Sequence, residues 1–89
     1  MLEFRNEIKE YRQRLGAARI HQFKDHIKEA EITCETTWNI RFLINGKIFD
    51  FYPQKCRLFD IRRQKWYMLN RKHFISHIRK LTGLINNTP

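Results

Sequence analysis

The second half of the chain combines cationic and aromatic side chains in a pattern typical of nucleic-acid-binding surfaces. Phosphate groups are held by ammonium and guanidinium donors, and unpaired bases stack on flat aromatic rings. The residues expected to contact nucleic acid are Lys55, Arg57, Arg62, Arg63, Lys65, Tyr67, Arg71, Lys72, Arg79 and Lys80. We expect the cations to converge on one solvent-facing surface. Tyr67 is expected to stack on a base and to be more exposed than Trp66, because tryptophan usually contributes to a core.

The distribution of charge favours a polyanionic partner. The chain of 89 residues has 18 Lys and Arg against 9 Asp and Glu, which gives a formal net charge of +9 and a pI of about 10.1. Residues 51–89 hold nine of these cations and a single acid, Asp60, whereas residues 1–50 are nearly neutral. The basic surface therefore belongs to the second half, and DNA or RNA is the expected partner.

A second function fits the same charge. A small inhibitor or adaptor could use a basic surface to bind an acidic or nucleic-acid-binding surface of a host protein or ribonucleoprotein, as phage counter-defence proteins do. The chain has only two cysteines, Cys34 and Cys56, and no long apolar run. It is therefore expected to be cytoplasmic, in the host cytoplasm if it is phage-encoded, and to bind no membrane.

Two acids give a third, enzymatic hypothesis. Asp50, followed by Asp60-Ile61-Arg62 on the next strand, resembles the arrangement in Mg²⁺-dependent nucleases of the PD-(D/E)xK kind, whose two carboxylates hold the metal. This chain departs from that pattern because Arg62 replaces the lysine, no proline precedes Asp50, and a hairpin would pair Asp50 with Arg41. We therefore expect a non-catalytic protein.

A metal site is the remaining chemical possibility. His73 and His77 are spaced i, i+4, and Cys34 and Cys56 could complete a zinc site. The spacing of these four residues is unspecific for zinc. In addition, Cys34 falls on the apolar face of a predicted strand, where a core thiol is expected. No catalytic residue, metal or cofactor is predicted.

Apolar periodicity indicates the elements that position these side chains. A period of 3.6 predicts a helix over residues 2–31, kinked or split near Gly16, where two apolar stripes fall out of phase. A period of two predicts a long strand over residues 32–44. Asn45-Gly46 then predicts a hairpin in which Arg41 lies opposite Asp50.

The rest of the chain completes an α+β fold with three or four antiparallel strands. Pro53 should end the second strand, a third is predicted over residues 57–62, and residues 66–69 could form a short fourth. Asn70 is predicted to cap a C-terminal helix whose apolar stripe extends to Ile85. Residues 1–85 are expected to form a single domain, with residues 86–89 as a frayed tail.

The segment Ile48-Phe49-Asp50-Phe51-Tyr52-Pro53, followed by a strand and Trp66-Tyr67, resembles small uncharacterised phage and prophage proteins in which a strand ends in an aromatic-Tyr-Pro sequence. The resemblance covers residues 38–69 and implies a phage-encoded accessory factor. The order of helix, three strands and helix is also similar to that of the double-stranded-RNA-binding domain, from which the chain differs by its minimal Asn45-Gly46 turn.

Overall fold

The computed structural model describes the backbone of residues 2–84 and the side chains of residues 7–84. Ile85 and the predicted tail over residues 86–89 lie outside the described residues. The predicted α+β class is confirmed. The elements are α1 (Leu2–His26), β1 (Glu31–Glu35), β2 (Ile40–Ile44), β3 (Lys47–Tyr52), β4 (Arg57–Asp60), β5 (Lys65–Met68) and α2 (Phe74–Leu81).

Helix α1 is a single element of 25 residues, so the predicted division into two helices is wrong. A bend at Gly16 stays a prediction. Gly16 is buried because α1 crosses the β3–β4 turn there: a Cβ atom at this position would lie 2.8 Å from Cγ of Gln54. Three residues later, the buried Arg19 donates from Nη1 to the carbonyl of Pro53 at 2.7 Å. The glycine therefore permits close packing of the helix on this turn.

The five strands form one antiparallel sheet in chain order. The predicted hairpin register between β2 and β3 is confirmed, with Arg41 opposite Asp50. Asn45 and Gly46 have φ values of 51° and 75°, the left-handed values that a type I′ turn requires. Arg41 binds Asp50 with two hydrogen bonds of 2.9 and 3.0 Å.

The sheet has five strands, so the predicted number of three or four is wrong. The long strand expected over residues 32–44 is two strands, because residues 36–39 form a turn. The hydroxyl of Thr36 accepts hydrogen bonds from the backbone N–H groups of Trp38 and Asn39, at 3.1 and 3.0 Å. This side chain thereby replaces the ladder contacts of a continuous strand.

The C-terminal helix begins later than predicted. Asn70 does not cap α2 directly. Its side-chain oxygen Oδ1 accepts from the backbone N–H groups of Lys72 and His73 and so closes the turn before the helix. Helix α2 starts at Phe74, with His73 in the N-cap position.

The core lies on one face of the sheet, where the second half of α1 and all of α2 pack. The Phe23 ring of α1 lies 4.8 Å from that of Phe42 and 5.5 Å from that of Phe51, centroid to centroid. Phe74 of α2 stacks on the other side of this group, 5.8 Å from Phe51. Within residues 2–84, both helices cover this same face, which leaves the opposite face open.

Candidate nucleic-acid interface

The open face of the sheet carries a cluster of aromatic side chains. The register places Trp66 of β5 opposite Phe59 of β4, and the two ring centroids are 4.7 Å apart. Tyr52 of β3 lies 5.2 Å from the same indole. These contacts hold the Trp66 ring in place, yet 53% of the residue remains accessible to solvent.

Beside this cluster lies a cleft of about 530 Å³ that we call the aromatic cleft. Its lining residues come from six parts of the fold and are Arg12, Trp38, Tyr52, Gln54, Lys55, Arg57 and Trp66. Trp38 lies in the β1–β2 turn, whereas Gln54 and Lys55 lie in the β3–β4 turn. Because adjacent strands are antiparallel, both turns fall at the same end of the sheet, which we call the Trp38 end.

The aromatic cleft is electropositive. Arg12, Lys55 and Arg57 line it, and none of its lining residues is acidic. A second hollow of about 330 Å³ adjoins the cleft along α1 and shares Arg12, Trp38 and Gln54 with it. Lys9 adds a fourth cation there. Rings and cations thus occur together in one concave surface, the combination that holds a nucleic-acid strand without sequence preference.

The wall formed by α1 depends on the close packing at Gly16. The first half of α1 contributes Arg12 to the cleft, and Arg19 ties the helix to the carbonyls of Pro53 and Gln54, at 2.7 and 3.2 Å. The β3–β4 turn is fixed from its other side by a 2.9 Å bond from the Leu69 N–H to the Cys56 carbonyl. Hydrogen bonds from the buried Arg19 side chain to backbone carbonyls therefore join the α1 wall of the cleft to the β3–β4 turn.

The predicted binding residues are not all brought together. Lys55 and Arg57 line the aromatic cleft, whereas Arg62, Arg63 and Lys65 lie around the β4–β5 turn at the opposite end of the sheet. Strand β4 separates the two groups by about 10 Å, at about 3.3 Å per residue. The cations therefore form two groups at the two ends of β4, and their convergence on one binding surface stays a prediction.

The remaining predicted cations lie on or before α2. Arg71, Lys72 and Lys80 are exposed. Arg79 is engaged by Glu29, at 2.8 and 3.2 Å, and also donates to the His26 carbonyl. The hydrogen bonds between Glu29 and Arg79 lower the pKa of the glutamate and raise the pKa of the guanidinium. Arg79 thus joins the end of α1 to α2.

The adjacent aromatic residues of β5 have exchanged their expected positions. Tyr67 lies opposite Leu58 and packs half-buried against the core, with Nζ of Lys65 5.2 Å from its ring centroid. Trp66 points to the open face. The expectation that Tyr67 is the exposed ring is wrong, because the alternation of β5 directs it to the helices.

Besides Trp66, four residues of the cleft are absent from the sequence prediction: Arg12, Trp38, Tyr52 and Gln54. The sequence pattern places Trp38 within a continuous strand. Its exposure could be predicted only if the turn at Thr36 were predicted first. Tyr52 could have been found from its position two residues after Asp50, on the same face of β3. Arg12 carries no local signal, since its place in the cleft depends on where α1 crosses the sheet.

The structure does not bring the two candidate nuclease carboxylates together. Asp50 lies on the open face, where Arg41 occupies both its oxygens and has its own pKa raised by these hydrogen bonds. Asp60 is opposite Phe49 on the core face and accepts the Arg63 backbone N–H at 3.1 Å. Within residues 7–84 no three metal-ligating side chains cluster, so the four candidate zinc ligands do not meet in one place; Nδ1 of His77 instead accepts the Asn70 N–H.

Comparison with proteins of known family or structure adds no constraint on this surface. In the part of the chain that the structure describes, no helix has the length and apolar character needed to cross a bilayer. The chain matches no protein family, no curated protein and no solved structure.

Proposed function

We propose that the chain is a non-catalytic nucleic-acid-binding protein and that the nucleic acid lies in the aromatic cleft. The observation that carries this proposal is the lining of the cleft, in which three aromatic rings and three cations occur with no acid among them. The net charge of +9 would attract a polyanion to the molecule, and the cleft supplies the place where it binds.

Each group of the cleft has a role in this proposal. Arg57 and Lys55 lie beside the rings on exposed positions of β4 and the β3–β4 turn, where phosphates can reach them. Arg12 extends the cationic surface onto α1. Asp50 and Arg41 form a neutral pair on the open face, so the positive charge of this surface comes from the cations of the cleft.

The test compares two double variants with the same change in charge. Lys55→Glu with Arg57→Glu alters the cleft, whereas Arg62→Glu with Lys80→Glu alters exposed cations outside it. The first variant is expected to lose at least about tenfold more affinity than the second for a fluorescent oligonucleotide, because it places carboxylates where phosphates would bind. Circular dichroism checks that both variants fold.

Two outcomes would contradict the proposal. Equal losses in both variants would show that the total charge acts without a defined site. Failure of the unmodified protein to bind DNA or RNA at low salt would rule out the function itself. Capture of a protein partner that persists after nuclease treatment would then support the adaptor hypothesis.

A further inference from the structure

We propose that the aromatic cleft binds unpaired bases, so that the protein prefers single-stranded nucleic acid to a duplex, with Trp66 as the principal stacking surface. This inference rests on the proposed function and specifies its substrate. It follows from the arrangement of the rings, which cations alone would not require.

Trp66 is a preorganised platform. Phe59 and Tyr52 contact its indole at centroid distances of 4.7 and 5.2 Å, and β4 pairing fixes its backbone. A ring that is already held loses little conformational freedom when a base stacks on it. Half of the residue is still exposed, so a flat partner can reach the indole.

Trp38 supplies a second surface in the same cleft. It is 56% exposed at the tip of the Thr36–Asn39 turn, where its backbone N–H is bonded to the Thr36 hydroxyl. Trp38 and Trp66 are both exposed and line the same concave surface, and exposed apolar side chains that cluster in this way mark an interaction site. With Tyr52, the cleft presents three rings from three elements, enough for more than one base.

The polar groups of the cleft can bind the phosphate backbone of the same nucleic-acid strand. Lys55, Arg57 and Arg12 can neutralise phosphates beside stacked bases. Gln54 also lines the cleft, and its amide can both donate to and accept from a base edge. The phosphate contacts and the stacking do not select among bases, and an amide that can both donate and accept suits more than one base edge, so the predicted binding tolerates different sequences.

A duplex could use only part of this surface. Its bases are stacked inside the helix, so its phosphates could reach the cations while the rings gained no partner unless a base were flipped out at additional cost. Stacking contributes about 5- to 150-fold in affinity per base. A single strand is therefore expected to bind at least about fivefold more tightly than the duplex made with its complement.

The chain offers an internal reporter, because both of its tryptophans line the cleft. Intrinsic fluorescence is titrated with a mixed-sequence single-stranded oligodeoxynucleotide, its duplex, and an abasic strand of the same length. The single strand should quench the fluorescence, whereas the abasic strand should bind more weakly and quench little. The Trp38→Phe variant isolates the signal of Trp66.

A matched pair of variants tests the platform itself. Trp66→Leu removes the stacking surface but keeps an apolar side chain, and is expected to weaken single-strand affinity by about 5- to 150-fold with little change for the duplex. Met68→Leu is the control, since Met68 is even more exposed on the same face but does not line the cleft. It should bind as the unmodified protein does.

The outcomes separate this inference from the proposed function. Equal or tighter binding of the duplex would overturn the single-strand preference while leaving nucleic-acid binding in place. Equal affinities of Trp66→Leu and Met68→Leu would overturn the role of Trp66. Absence of binding to all three oligodeoxynucleotides, and to RNA of the same sequence, would overturn the proposed function as well.

Discussion

Glu29 and Arg79 form the ion pair through which the two helices are joined. Glu29 follows α1 and Arg79 lies in the last turn of α2, and two hydrogen bonds of 2.8 and 3.2 Å connect their side chains. The Arg79 side chain is only 18% exposed, so the pair is better shielded from solvent on the arginine side. These residues therefore help to hold both helices on the core face.

The ion pair between Glu29 and Arg79 makes the free energy of unfolding depend on pH in the acidic range. The pKa of Glu29 is lowered in the folded protein, first by its hydrogen bonds with Arg79, so its contribution is present above the ordinary glutamate pKa and is lost as pH falls through the folded value. Glu29→Gln should lower the free energy of unfolding by at most about 1 kcal/mol near neutral pH, and by less near about pH 3. Urea unfolding at the two pH values measures the difference.

Glu31→Gln is the control for this measurement, because it changes the charge of a nearby exposed acid at the start of β1. Its effect on the free energy of unfolding should be smaller than that of Glu29→Gln near neutral pH. A penalty for Glu29→Gln that grows as the pH falls would contradict the assigned direction.

Residue types alone could not tell which of two neighbouring rings would face solvent. Trp66 and Tyr67 are both suited to a core and to an interface, and the choice depends on the register of β5 against β4. In contrast, Arg41 and Asp50 could be paired from the sequence, since the two-residue Asn45-Gly46 turn fixes the register of β2 and β3. Where a turn determines the register, the facing of side chains is predictable.

At the scale of elements, the Thr36 turn determines the position of Trp38. Without Gly or Pro, residues 36–39 continue the alternation of a strand in the sequence, which hides the turn. The hydroxyl of Thr36 supplies the missing signal, because it accepts two backbone N–H groups and also bonds to the Asn39 side chain at 2.7 Å. The Thr36 side chain thus separates β1 from β2, which raises the number of strands to five, and places Trp38 in one wall of the cleft.

Thr36→Val removes this hydroxyl at nearly constant shape. We expect a loss of about 1 kcal/mol in the free energy of unfolding, since two backbone donors lose their partner in an exposed turn where water can replace it. We also expect weaker binding of a single-stranded oligonucleotide, because Trp38 is no longer held. Urea unfolding and fluorescence titration measure the two effects.

Thr37→Val is the matched control, as its neighbour in the same turn. It should leave the oligonucleotide affinity unchanged. If both valine variants bind the single-stranded oligonucleotide as tightly as the unmodified protein does, then the turn does not position Trp38 for binding.

At the scale of the whole molecule, charge could be counted from the sequence but not placed. The nine cations of residues 51–89 follow one another closely in the chain, and that proximity favours a single surface. Antiparallel folding instead sends the β3–β4 and β4–β5 turns to opposite ends of the sheet, so Lys55 and Arg62 separate. Conversely, Arg12 lines the same cleft as Arg57 only because α1 crosses the sheet at its Trp38 end.

Salt should act in opposite directions on binding and on folding. Three cations in the cleft predict that the logarithm of the single-strand association constant falls with the logarithm of salt concentration with a slope of about −2. The fold itself should not weaken, because added salt screens the repulsion within a chain of net charge +9. Thermal unfolding recorded in the same buffers distinguishes lost binding from lost structure.

Single substitutions then locate the cations that release counterions. Arg57→Gln should reduce the magnitude of the slope by about 0.7, since one phosphate contact is lost. Arg62→Gln removes the same charge at the other end of β4 and should leave the slope unchanged. Identical slopes for the two variants would mean that phosphates do not distinguish the cleft from the β4–β5 turn, and a falling melting temperature with salt would show that the lost binding reflects unfolding.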